Sequence, residues 1–230
     1  MPPLQTILVQ IKKISTIKSM IIAPSILNAD FSQLQAEIDS LDNADRIHLD
    51  IMDGKYVPAT SFGAKDLEGI DFSIPTEAHL MCDNPEQYFD DFQKLGVMGI
   101  TFHIENTGEF EAIRLLKDLK NRNLKAGICI DGYTEDNALS EDILNIADQI
   151  LIMSVKAGKG GQSFMPEALE KCQTLRERNY QGEIEFDGGV KAEHPSLIAA
   201  AGGNAAVVGS FLTKKPLTER AALIENLKAS

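Results

Sequence analysis

The sequence predicts an α/β fold, a closed (β/α)8 barrel, on three observations. From Met20 onward, short apolar β-type runs alternate with amphipathic helical runs. Eight β-type runs occur, their starts 22 to 34 residues apart, close to one βα unit each. No G-x-G-x-x-G follows the first run, which argues against an open dinucleotide-binding sheet. Strands alternating with helices imply a parallel sheet, and eight units favour its closure.

In chain order, the first expected strand is the apolar run 21–23. The segment 31–41 follows Asp30, a suitable N-cap, and reads as the first helix. The second strand, 46–51, contains His48-Leu49-Asp50, and the third, 77–81, contains His79. Asn84-Pro85 then starts a helix with proline at its first position. Strand 99–103 leads to a helical pattern over 110–121. Strands 125–130 and 149–154 follow, then a helix over 166–178. Strand 183–186 precedes Asp187, and 205–208 is the last strand. Residues 20–230 read as one barrel domain without linker or low-complexity tract. Residues 1–19 differ, with Lys12, Lys13 and Lys18 and no acidic residue. Their apolar stretch precedes the lysines, the reverse of a signal peptide, so an N-terminal extension or misassigned start is expected.

The chain has 230 residues, 43% of them hydrophobic, enough for a substantial core. Its net charge of −12 argues against nucleic acid or an anionic membrane as partner. No apolar run is long enough to span a bilayer. Cys82, Cys129 and Cys172 are odd in number and form no CxxC pair, so a reducing, cytoplasmic setting is expected. Cys82 reads as structural.

Three strand-end motifs carry the chemistry: His48-Leu49-Asp50, His79 and Asp187. All fall at the C-terminal ends of strands, where barrels of this kind gather function. His48 and Asp50 are two apart, so on a strand they point the same way. Two imidazoles and two carboxylates suit one divalent metal, Zn²⁺ by preference, with Fe²⁺, Mn²⁺ or Co²⁺ as alternatives. The carboxylates also move protons, so the set points to metal-assisted proton transfer. His103 is read as a pocket residue outside the metal set, His194 as solvated surface, and Asp53 as a turn former before Gly54. Gly158, Gly160, Gly161 and Gln162 follow the sixth strand, Gly188 and Gly189 the seventh, Gly209 and Ser210 the eighth. Phosphate sites in such barrels commonly use the loops after strands 7 and 8. Met52, Met81 and Met153 sit at strand ends, either as core packing or as an apolar lining over an intermediate.

These residues resemble the ribulose-phosphate 3-epimerases. The likeness runs from about Met20 to Leu212, through Ala23-Pro-Ser-Ile-Leu27, His48-Leu-Asp-Ile-Met-Asp-Gly54, His79-Leu-Met81, Ile152-Met-Ser-Val155 and Asp187-Gly-Gly189. It implies a TIM barrel of the ribulose-phosphate-binding type, with one divalent metal on His48, Asp50, His79 and Asp187. It implies Asp50 and Asp187 as the paired acid and base. Ser25, Met52, Met81 and Met153 would contact the substrate, and Gly188-Gly189 with Gly209-Ser210 its phosphate. The expected reaction is C3 epimerisation of D-ribulose 5-phosphate to D-xylulose 5-phosphate by a homo-oligomer of the cytoplasm. Alternatives are an epimerase for another ketose phosphate, such as D-allulose 6-phosphate, and a non-catalytic sugar-phosphate-binding protein. Three loops depart from the family pattern: Lys55-Tyr-Val-Pro-Ala59, Asp131-Gly132 and Lys156-Ala-Gly-Lys-Gly-Gly-Gln162.

Overall fold

A computed structural model describes residues 19–229. Its strands are β1 (Ile21–Pro24), β2 (Ile47–Met52), β3 (Thr76–Met81), β4 (Gly99–His103), β5 (Lys125–Ile130), β6 (Gln149–Met153), β7 (Glu183–Asp187) and β8 (Ala205–Val208). Each pairs in parallel with the next from β2 to β8, and β8 pairs with β1. At the remaining seam, Ser25 bridges His48, and the Ile26 N–H donates to the His48 carbonyl at 3.3 Å. The eight-stranded barrel read from the sequence is therefore the observed architecture.

Between the strands lie α1 (Leu34–Asp39), α2 (Phe89–Leu95), α3 (Ile104–Asn121), α4 (Glu141–Ile146), α5 (Ala168–Glu177), α6 (His194–Ala201), α7 (Ser210–Thr213) and α8 (Leu217–Lys228). Asp30 caps as expected, accepting from the Ser32 N–H, but Phe31–Gln33 is a 3₁₀ turn and α1 begins only at Leu34. The same holds after Asn84, where Pro85–Tyr88 is a 3₁₀ turn before α2. Helix α3 starts earlier than the pattern suggested and is interrupted at Gly108, whose φ is 68°. The β2–β3 connection holds only a 3₁₀ turn, Ala64–Leu67, in a stretch punctuated by Pro58, Gly63, Gly69 and Pro75. Proline and glycine there discourage a longer helix.

Strand alternation divides the core in two. Outward residues such as Ile47, Leu49, Leu80, Phe102, Ile128, Ile150 and Phe186 are fully or nearly fully buried in one apolar layer under the helices. Inward positions of β2, β3 and β7 are polar instead: Arg46, His48 and Asp50; Glu77 and His79; Glu183, Glu185 and Asp187. Arg46 just precedes β2 and is 3% exposed. Its Nε lies 2.8 Å from Glu77, and its Nη2 lies 2.6 Å from Glu183 and 2.7 Å from Glu185. Lys125 adds a second cation at 2.6 Å from Glu183. Gln149 donates to the other oxygen of Glu185 at 2.5 Å. A buried guanidinium is tolerated only when paired this completely. Two cations face three carboxylates, and Glu185 takes the excess. Burial, opposed by Arg46 and reinforced by Glu77, pushes its carboxyl up to about 8.

From its ordinary 4.5 to about 8, the folded chain keeps a proton on Glu185 that the unfolded chain has released. This group's contribution to stability therefore falls as the pH rises through that window. Glu185→Gln should flatten that part of the fall, read from urea unfolding at several pH values between those limits. An unchanged slope would contradict the protonated Glu185. The N-terminal expectation concerns residues 1–18, which lie outside the described residues, together with Ser19. Because β1 begins at Ile21, a chain lacking residues 1–19 is expected to fold and turn over as the full chain does, checked by circular dichroism and assay.

Candidate active site

The site stands on three strands of the barrel. Register fixes it: His48 lies opposite Glu77 and Asp50 opposite His79 across β2 and β3, while Asp187 closes β7 beside Met153 of β6. One ligand atom from each of His48, Asp50, His79 and Asp187 falls within 4.8 Å of the others. The His79 Nδ1 is 3.3 Å from Asp50 Oδ1 and 3.4 Å from Asp187 Oδ2. The His48 Nε2 is 3.4 Å from Asp50 Oδ1 and 4.0 Å from Asp187 Oδ2. All four residues expected as ligands therefore converge.

Each imidazole is oriented from behind. The Glu77 carboxylate accepts from His48 Nδ1–H at 2.9 Å, so the Nε2 of a neutral His48 turns its lone pair toward the two aspartates. That Nε2 is buried and has no hydrogen-bond partner. His79 Nε2 lies 2.9 Å from His103 Nε2, and His103 Nδ1 lies 3.3 Å from Glu105 and 3.1 Å from the Tyr56 hydroxyl. Burial lowers the pKa of His103 in spite of Glu105, and a neutral His103 whose Nδ1–H faces Glu105 accepts a hydrogen bond from His79 Nε2–H. His79 Nδ1 is thereby left facing Asp50 and Asp187. Once deprotonated, the two imidazole nitrogens and the two carboxylates directed at one point form an N₂O₂ donor set suited to a divalent cation.

The charge balance agrees. Burial works against ionised Asp50, yet His48 and His79 hold its carboxyl well below the usual carboxylate range. Burial likewise opposes charge on the imidazoles, but Asp50 and Glu77 pull His48 well upward, and Asp187 and Asp50 pull His79 upward. Positive charge is what this cluster draws in. Asp50 also accepts from the Ser25 hydroxyl at 2.5 Å, and Ser61 ties its backbone carbonyl at 2.6 Å.

Above the cluster opens a cavity of about 300 Å³. Asp50, Asp187 and Ser25 form its floor, with Met52, Met81 and Met153 beside them. Gly158, Gly160, Gly161 and Gln162 line it from the loop after β6, and Gly188, Gly189, Gly209 and Ser210 from the loops after β7 and β8. His48 and His79 lie beneath, both nearly inaccessible. Met52, Met81 and Met153 are buried and also border the cavity. Gly189 has a φ of 68°, and a Cβ there would stand 2.4 Å from the Phe164 nitrogen, so the turn after β7 requires glycine.

Other residues find different roles. His103 stands behind His79 and not in the cavity wall. His194 is half-buried, stacks on Phe164 with ring centres 4.3 Å apart, and accepts from the Lys191 N–H at 2.9 Å. Asp53 makes the expected turn, accepting from the Lys55 and Tyr56 N–H groups, and also from that of Asp83. Cys82 is buried, and burial raises its thiol to about 12, in keeping with a structural role. Glu77, His103, Glu105, Arg46 and Glu185 support the site but were not singled out for that role from sequence. Glu77, Arg46 and Glu185 were detectable, each two residues before a candidate ligand and so on the same strand face.

The profile of the ribulose-phosphate 3 epimerase family matches residues 21–213. Ribulose-phosphate 3-epimerase of Synechocystis sp. is 40% identical over 207 residues, 86% of this chain and 90% of that protein. The protein of that name from Mycobacterium leprae is 38% identical, covering 83% and 86% of the two chains. That from Helicobacter pylori (strain ATCC 700392 / 26695) is 35% identical, covering 91% and 97%. Among solved structures, 3-hexulose-6-phosphate synthase aligns with a TM-score of 0.67 at 15% identity, over 91% of this chain and 99% of that one, a likeness of fold alone.

If Glu77 and Glu105 orient the two imidazoles, Glu77→Gln and Glu105→Gln should each weaken metal affinity roughly 10- to 100-fold. Competition against a chromophoric chelator measures this directly. Unchanged affinity in both folded variants would show that the imidazoles are oriented without them.

Proposed function

The chain belongs to the ribulose-phosphate 3-epimerase family, and we propose that it interconverts D-ribulose 5-phosphate and D-xylulose 5-phosphate by proton transfer at C3 between Asp50 and Asp187. It is an epimerase. The observation that carries the assignment of roles is the meeting of two carboxylates from separate strands, β2 and β7, on the floor of one cavity.

The C3 proton is acidic because it neighbours the C2 carbonyl. One aspartate removes it from one face, leaving an enediolate whose charge lies on O2. The other aspartate returns a proton to the opposite face. A single base would tend to return the proton where it came from, so inversion calls for two groups. A divalent ion on His48, Asp50, His79 and Asp187 supplies Lewis-acid stabilisation of that charge when bound. Zn²⁺ best suits the donor set, with Fe²⁺, Mn²⁺ or Co²⁺ as alternatives.

The two carboxylates sit in unequal surroundings, as an acid–base pair requires. Asp50 is enclosed, with the Ser25 hydroxyl and the imidazoles about it, whereas the Asp187 side chain is 14% exposed. The Ser25 hydroxyl keeps one Asp50 oxygen fixed. Met52, Met81 and Met153 exclude water from the reacting carbon without offering a competing acid. Backbone groups of Gly188, Gly189, Gly209 and Ser210 receive the phosphate, and the 158–162 loop covers the sugar. The named relatives favour neither D-allulose 6-phosphate nor a non-catalytic protein. A homo-oligomer and a cytoplasmic location complete the proposal. Light scattering on the purified protein tests the first.

Asp50→Asn and Asp187→Asn should each lower kcat by roughly 10²- to 10⁴-fold, the range for a positioned acid or base. Both residues are also proposed ligands, so bound metal is quantified in each sample. Near-normal turnover by either variant would remove that residue from proton transfer. Chelation should abolish the activity of the native chain and a divalent ion restore it, whereas full turnover by a verified metal-free sample would refute the cofactor.

A further inference from the structure

The cavity carries opposite charge at its two ends. Asp50 and Asp187 form the floor, while Lys156, Lys159, Lys191 and Lys214 line it from the loops after β6, β7 and β8. All four lysines are exposed, and none enters an ion pair among the described residues. Residues 1–18 contain no Asp or Glu side chain that would neutralise them. Elsewhere Lys94, Lys120, Lys125 and Lys228 pair with Asp91, Asp148, Glu183 and Asp45, while Lys55, Lys65, Lys117, Lys171 and Lys215 enter no ion pair among the described residues, so the cavity lysines are set apart by their clustering. In a chain of net charge −12, four such ammonium groups around one cavity are a local concentration of positive charge.

Their backbone is held in place. The Gln162 side-chain amide donates to the carbonyls of both Lys156 and Lys159, each at 2.7 Å, closing the loop on itself. Gly158 packs so closely on Val57 that a Cβ would lie 2.7 Å from its side chain, and one at Gly160 would lie 2.8 Å from Asn28. The loop is thus seated on its neighbours from the β1 and β2 sides. The Lys191 N–H is bound by His194, and the Lys214 N–H by the Ser210 carbonyl.

We propose that Lys156, Lys159, Lys191 and Lys214 form a cationic collar that captures doubly charged phosphate esters and directs them past a negatively charged protein into the cavity. This rests on the ketose phosphate reading given above. The collar acts on encounter and binding. A cleft lined by one sign of charge raises local substrate concentration and association rates about 10- to 1,000-fold at low salt. Screening over a Debye length of about 8 Å at 0.15 M ionic strength removes most of that gain.

The test compares the metal-loaded native chain with a fourfold variant, Lys156→Gln, Lys159→Gln, Lys191→Gln and Lys214→Gln. A control of equal charge carries Lys65→Gln, Lys94→Gln, Lys117→Gln and Lys120→Gln, all outside the cavity. Epimerisation is followed from low to high ionic strength. The collar variant should lose at least roughly tenfold in kcat/KM at low salt, mainly through KM, and lose most of its salt dependence. The control should keep the native salt dependence. Equal losses in the two variants, or a native kcat/KM indifferent to salt, would overturn the collar and leave the epimerase reading intact. If the fourfold variant does not fold, Lys156→Gln/Lys159→Gln and Lys191→Gln/Lys214→Gln are read in the same way. If no ketose phosphate is turned over, the functional reading fails instead. Calorimetry with inorganic phosphate then decides: binding weakened by salt and by the collar substitutions supports the collar, and binding indifferent to both refutes it.

Discussion

Arg46 brings a positive charge to the inside of the barrel, where Glu77, Glu183 and Glu185 meet it within 2.8 Å. Placing an unpaired guanidinium there would cost several kcal/mol, so the three acids are not interchangeable with apolar residues while Arg46 is present. The same contact keeps Glu77 ionised: burial favours its neutral form, and Arg46 and His48 overcome that. An ionised Glu77 accepts a hydrogen bond from His48 Nδ1–H, which leaves Nε2 facing the floor of the cavity. One buried ion pair thus sets the tautomer of a proposed metal ligand two contacts away. The outer faces of the same strands carry the apolar core, so the interior is free to be polar without loss of the fold.

The site joins parts of the chain more than 100 residues apart, which gives the barrel its role. His48 and Asp50 come from β2 and Asp187 from β7, and parallel pairing around the sheet brings their strand ends to one mouth. The connections then divide the work. Those after β7 and β8 are short and glycine-bearing, and they border the cavity with backbone. The one after β6 carries Lys156 and Lys159 at the rim of the cavity, while Asp50 and Asp187 stand at its floor.

Much of this was legible in the sequence because strand periodicity is a local rule. The eight strands and the four converging residues follow from alternation and from strand ends, which a single chain displays. Helix starts were less legible. Asp30 and Asn84-Pro85 mark where a helical segment starts, but 3₁₀ turns precede α1 and α2 because tertiary packing decides the pitch of a first turn. His103 and Glu105 were missed as positioning residues because their role depends on contacts across strands. His79 lies 24 residues away, and only the β3–β4 pairing brings its ring within hydrogen-bonding distance. His194 was misplaced on the surface because its stacking on Phe164 is a contact 30 residues distant.

In the proposed reaction, two aspartates on separate strands, Asp50 and Asp187, serve opposite faces of one carbon. Epimerisation in D₂O, stopped at low conversion and started from each ketose phosphate in turn, tests it most directly. Deuterium is expected at C3 of the product from both directions, with little in recovered substrate, because the donating aspartate has already exchanged with solvent while the abstracting one holds the substrate's own proton and returns it on reversal. Deuterium entering recovered substrate as fast as product would mean one base serving both faces, and would contradict the assignment of Asp50 and Asp187 as a pair.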